Sequence, residues 1–172
     1  MMLSRFLAGF ALAAFSILAV PEIPDAAELG QPEGRPVLIV SGNISVTNSD
    51  EGAAFDIAML EALGTESFET MTPWYDEPVT FEGVPMTALM EAVGADGETI
   101  LAVALNDYSS EVPISDFAEH GTLLALKRDG EYMPIRDKGP IFIVYPYDRD
   151  EKLQNQIYYA RSAWQVHKIV VK

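Results

Sequence analysis

The sequence predicts an α+β domain: a mixed β-sheet with a few short helices. Three observations carry that reading. About eight short apolar or alternating runs are separated by turn residues such as Gly42-Asn43, Asp96-Gly97 and Asp129-Gly130. Only two stretches, Phe55 to Leu63 and Met86 to Val93, repeat apolar residues at helical spacing. The 172 residues contain no internal repeat and no low-complexity stretch, so one domain with a sizeable core is expected.

In chain order, residues 1–27 read as a secretory signal peptide. Arg5 is a short positive start, Phe6 to Val20 an apolar core, and Pro21 breaks it. Cleavage after Ala19 or after Ala27 fits equally, and a retained membrane anchor is the alternative. The apolar run is short of the roughly 20 residues that span a bilayer, so no stable membrane insertion is expected after cleavage. Export without cysteine suits the periplasm, and residues 28–172 then form the single mature domain.

After a Pro/Gly/Glu linker, Val37 to Val40 is a first strand and Ile44 to Thr47 a second. Asn48 to Glu51 supplies N-cap residues for a helix with Phe55, Met59, Ala62 and Leu63 on one face, stopped by Gly64. Glu66 to Thr80 alternates like a strand but breaks at Thr72-Pro73-Trp74-Tyr75, because the residue before proline avoids helix. Pro85 opens the second helix, with Met86, Leu89, Met90 and Val93 inward and Gly94 at its end. Thr99 to Leu105 reads as an interior strand, Asn106-Asp107-Tyr108 as the polar tip after it, and Glu111 to Ile114 as a return strand. Ser115 caps a helical turn. Thr122 to Leu126 and Ile141 to Tyr145 are further buried strands, Asp148 to Arg161 is helical in part, and Trp164 to Val171 closes the chain.

Charge narrows the function. The chain carries a formal −15, which argues against nucleic acid and anionic membranes as partners. Between Arg35 and Lys127 there is no Lys or Arg and there are sixteen acids, whereas Lys127 to Lys172 holds nine basic against six acidic residues. An anionic ligand must therefore be met by the last third of the chain, and the loop carrying Arg136 and Lys138 is the candidate. A solvated turn is the bland alternative for that loop.

Catalytic signatures are missing. The chain has no cysteine, hence no disulfide, thiolate ligand or thiol nucleophile, and its two histidines, His120 and His167, do not make a zinc site. No phosphate loop, GxSxG or HExxH occurs. His120 beside Asp116 reads as a surface turn and not as a triad fragment. Asp148, Asp150 and Glu151 lack the glycine and terminal glutamate of a calcium loop.

From Phe81 onward the order of signals resembles the molybdopterin-binding domain of the sulfite oxidase family. Phe81-Glu82-Gly83-Val84-Pro85-Met86 with Leu89-Met90 is similar to its aromatic-x-Gly-Val-Pro-Leu helix entry. Asn106-Asp107-Tyr108 with Val112-Pro113 is similar to its Asp-Gly-Tyr…Ile-Pro segment. Leu123-Leu124-Ala125 with Gly130 to Pro134 resembles its Leu-Leu-Ala hairpin, and Gly139-Pro140, Trp164 and Ile169 resemble its closing elements. The chain also resembles small secreted members of that family that carry a Thr-Pro-Trp loop, here Thr72-Pro73-Trp74.

The resemblance implies the family's fold and a cleft among the Thr72–Trp74 loop, the Asn106–Tyr108 tip and the Arg136–Lys138 loop. It implies molybdopterin as the cofactor, with a cysteine near Thr70 to Thr72 holding molybdenum. This chain lacks that cysteine, and the arginine often found after the family's Gly-Pro is Phe142. A hydroxyl or thioether is a poor substitute for a soft thiolate. The expectation is a non-catalytic periplasmic domain binding a small anionic ligand or a sensor partner. In it Arg136 and Lys138 supply charge, Trp74 and Tyr108 flat surfaces, and Asn106 and Asp107 hydrogen bonds; with Thr72 these are the expected cofactor-binding residues. The alternatives are a molybdopterin-dependent oxidoreductase without a cysteine ligand, and an interaction module with no small ligand.

Overall fold

In the computed structural model, which describes residues 29–172, Leu38 and Val40 alternate with Ile39 and Ser41 as the inner face of strand β1 (Leu38–Gly42). The expected leader, residues 1–27, lies outside the described residues. The second strand departs from expectation. Ile44 to Thr47 makes only an isolated bridge from Ile44 to Ala95, and β2 is Ala53–Phe55, antiparallel to β1. The cause is one side chain. Asn48 donates to the carbonyls of Gly30 (2.7 Å) and Ala54 (2.9 Å) and accepts from the Ala54 N–H (2.7 Å), holding this segment extended. Gly52 permits the approach, since a Cβ there would collide with the Val40 carbonyl.

Helix α1 (Ile57–Ala62) consequently starts later than expected. Its N-cap is Asp56, which accepts from the N–H groups of Met59 (2.9 Å) and Gly34 (2.7 Å), rather than any of Asn48 to Glu51. Strands β3 (Glu66–Thr72) and β4 (Tyr75–Pro85) form a hairpin that turns at Pro73-Trp74. Pro85 ends β4 and stands at the N-cap of α2 (Met86–Ala92), whose Met86, Leu89 and Met90 are buried as the spacing predicts.

A second hairpin, β5 (Thr99–Ala104) and β6 (Ser109–Pro113), leads to α3 (Ser115–His120) and then β7 (Leu123–Arg128). Asp129 and Gly130, both at positive φ, turn the chain into β8 (Glu131–Tyr132). A 3-10 turn at Ile135–Asp137 precedes β9 (Phe142–Val144). The segment 148–161 is helical only at its end: two 3-10 turns come before α4 (Gln156–Arg161), and β10 (Val166–Val171) closes the fold.

The strands make two sheets, so the fold is α+β. One is mixed, in the order β2-β1-β10-β5-β6 with β1 and β10 parallel; the other is antiparallel, β3-β4-β7, with β8 and β9 both on the far edge of β7. The residues 123–126 of β7 are buried on both faces, and side chains of both sheets share one apolar core. The antiparallel sheet, not the mixed one, joins the Trp74 hairpin to the basic loop. A backbone seam ties the sheets: Ile143 N–H donates to Ala163 O (2.8 Å) and Val166 N–H to Ile141 O (3.1 Å).

One polar cluster locks α3 to this seam. The buried carboxylate of Asp116 accepts from the Tyr145 hydroxyl (2.7 Å) and from Arg161 (2.8 Å). Burial, reinforced by Asp116, pushes the Tyr145 hydroxyl's pKa well above its ordinary value. His120 is not in a surface turn. It ends α3 with its side chain 10% exposed, packed on the rings of Tyr145 and Tyr158.

Asp116→Ala strands a buried hydroxyl and a guanidinium, and should destabilise the fold by about 2–4 kcal/mol, read as a lower urea midpoint at unchanged m-value. The N–H groups of Met59 and then Gly34 hold the Asp56 carboxyl below its usual pKa. The native state therefore binds this proton less readily than the unfolded chain, and the cap stabilises above pH ~4 and is lost as pH falls through the lower folded value. The stability gap between the native protein and Asp56→Asn, measured by urea titration at several pH values, should be present at neutral pH and shrink in acid.

Candidate functional site

Trp74 sits at the β3–β4 turn because Thr72, extended ahead of Pro73, accepts the Trp74 N–H on Oγ1 (3.3 Å). Its half-buried indole meets four rings edge-to-face: Phe142 and Trp164 at 5.5 Å, Tyr159 at 6.0 Å and Tyr147 at 6.1 Å. Trp164 is delivered by the seam, which sets it opposite Phe142 as a bridge partner. Tyr159 comes from α4, whose N-cap Asn155 accepts from the Ile157 N–H (2.8 Å).

The β5–β6 turn forms the facing wall. Asp107 adopts a left-handed φ of 63°, and Asn106 Oδ1 accepts the Tyr108 N–H (3.2 Å). Tyr108 and Ser110 donate to the same carbonyl, Ala160 O, at 3.4 and 2.6 Å, binding the hairpin to α4. Between these walls lies an open cleft of about 350 Å³. Four aromatic side chains line it (Trp74, Tyr108, Tyr159 and Trp164), with Asn106, Gln156 and Ser162 as its polar groups. Behind it, the buried Tyr147 hydroxyl pairs with that of Ser162, and burial raises its pKa far above the usual tyrosine value.

Of the residues singled out in the sequence, Trp74, Asn106 and Tyr108 converge on this cleft. Thr72 is buried behind the turn, and Asp107 lies exposed at the tip without lining the cleft. Lys138, at φ 63°, lays its ammonium over the rings of Tyr75 (4.9 Å) and Trp164 (5.3 Å). Arg136 goes elsewhere: it is exposed and lines a separate cleft of about 220 Å³ with Glu131 and Asp137, the latter paired to Arg128 at 2.7 Å. Arg136 lies within the 3-10 turn, whereas Lys138 follows it as its C-cap at left-handed φ, so the two side chains leave in different directions and the expected pair of cations does not converge. Sequence reasoning missed the α4 wall of Gln156 and Tyr159 and the contribution of Ser162. The Tyr158-Tyr159 pair was the available signal for it.

The arrangement does not fit a molybdenum–pterin centre. There is no thiolate, and the Thr70 hydroxyl is buried between the Asp148 N–H (3.1 Å) and Met71 O (3.2 Å). Thr72 Oγ1 is committed to Trp74. No group of three or more His, Asp or Glu side chains able to hold a metal occurs among the described residues. No helix among them is long and apolar enough to cross a membrane. Compared with protein-family models and with curated proteins, the chain matches none.

Trp74→Ala removes the ring that the other four surround. It should cost about 3 kcal/mol and red-shift the emission of the remaining Trp164, measured by denaturant titration followed by fluorescence.

Proposed function

We propose that residues 28–172 are a non-catalytic periplasmic binding domain on a scaffold resembling the molybdopterin-binding domain of the sulfite oxidase family, and that the aromatic cleft takes a small anionic ligand. A leader at residues 1–27 is part of that reading, and a periplasmic sensor protein that reads the loaded cleft is the matching partner. The observation that carries it is the gathering of both tryptophans of the chain, with two tyrosines and two carboxamides, around one open cleft. Lys138 is held on the Trp164 ring that lines it, and among the described residues no carboxylate pairs with it. Arg136 is a second, outlying cation.

A plain interaction module is favoured by a different feature. Leu105 and Ile135 are 48% and 58% exposed and border one groove with Arg35 and His167. The two readings separate in thermal-shift titrations with small carboxylates and phosphates. Stabilisation that Lys138→Ala abolishes and Arg136→Ala preserves supports the cleft; no stabilisation by any of them points to the module. Protein made in a host that synthesises molybdopterin should contain no stoichiometric molybdenum by elemental analysis. A full equivalent of metal overturns the non-catalytic reading.

A further inference from the structure

The shape of the cleft restricts the ligand beyond its charge. Trp164 and Tyr159 each stand steeply on Trp74, at 71° and 73°, and touch it rather than each other. Two near-perpendicular walls on one floor make a corner. A flat heteroaromatic ring can lie on one face with its edge to another, so the choice of ring falls to the polar groups. A saturated ring presents apolar C–H groups both on its face and along its edge, and such a ring fills the angle.

The polar groups point the same way. The Gln156 side chain makes no hydrogen bond to the described residues, and Asn106 uses only its carbonyl oxygen internally. Each carboxamide combines donor and acceptor, the complement of neighbouring hydroxyls, which also do both. Among the described residues no Asp, Glu, Lys or Arg lines the cleft, so the ring itself is met by neutral groups. The corner gives a cation no advantage: Lys138 already lies against the Trp164 ring, and a second positive charge on that ring is repelled. Lys138 does not itself line the cleft but rests 5.3 Å from the centre of the Trp164 ring, which does, and it is the cation assigned to a carboxylate substituent.

We infer that the ligand is an acidic sugar, a pyranose carrying a carboxylate, with the ring in the corner of Trp74, Trp164 and Tyr159, its hydroxyls on Asn106 and Gln156, and its carboxylate toward Lys138. This rests on the reading of the cleft as an anion site and narrows it.

The only tryptophans of the chain are Trp74 and Trp164, so emission reports the cleft directly. Sodium D-glucuronate, D-glucose and sodium benzoate serve as probes on the full mature domain, with calorimetry as a second readout. The expected result is saturable quenching by glucuronate, with glucose about tenfold weaker or more, since it forgoes a charge-assisted contact. Gln156→Ala should weaken glucuronate about fivefold or more, as should Lys138→Met, with both variants melting near the native temperature. Benzoate binding without glucuronate binding overturns the sugar while leaving the anion site standing. Equal affinity for glucose and glucuronate overturns the acidic sugar, and silence from all three probes overturns the cleft reading as well.

Discussion

Two hydrogen bonds hold the arrangement together. The Ile143 N–H to Ala163 O bond and the Val166 N–H to Ile141 O bond join β9 and the residue before it, on the antiparallel sheet, to the first residue of β10 and the chain just ahead of it, on the mixed one. Buried backbone groups must be paired, and here their pairing fixes how one sheet meets the other. Trp164 lies inside this seam and Trp74 at the neighbouring hairpin turn, so the aromatic cleft is a by-product of the junction. Asp116 strengthens the same place from the outside, tying α3 through Tyr145 to the end of β9 and through Arg161 to α4.

The lopsided distribution of charge along the chain has a structural counterpart. Lys127 bonds Glu82 (2.8 Å) and Glu61 (3.1 Å), whose carboxylates raise its pKa, with Glu82 the larger influence. Arg161 meets Asp116 and Lys172 meets Glu111. The basic last third is folded back onto the acidic middle, and several of its cations are spent there. Counting cations along the sequence therefore overstates what is left for a ligand. The pairs of Lys127 and Lys172 are exposed or half-exposed and add little stability individually, unlike that of the buried Asp116; Lys138 instead is set on two aromatic faces, one of them the Trp164 ring of the cleft.

How much was legible depended on whether local chemistry decided the outcome. Met86, Leu89, Met90 and Val93 are read correctly because helical spacing and core burial agree. The Asp129-Gly130 hairpin follows from two residues that tolerate positive φ. Phe55 fails because its apolar spacing fits a helix, while Asn48 bonds both backbone groups of Ala54 and Phe55 itself pairs with Leu38 of β1. The cleft was half visible. Trp74, Asn106 and Tyr108 stand out as aromatic and polar groups at turns, but the α4 wall arrives by tertiary packing that no window of sequence contains. The separation of Arg136 from Lys138 is equally invisible to spacing, since it depends on the handedness of one short turn.

The far edge of β7 carries β8 and then β9, and Met133 N–H still reaches Leu126 O between them (3.1 Å). These two pieces are one interrupted strand, and 134–140 is an excursion from it; Ile141, buried and with its carbonyl taken by the Val166 N–H, already belongs to the seam. Sheet pairing on either side is complete without the excursion, so its length and composition can drift while the ladder keeps its register. The scaffold thus separates what must stay fixed from what can be rewritten: descendants of this chain could exchange the lysine-bearing detour for another and acquire a different preference, with the surrounding framework left intact.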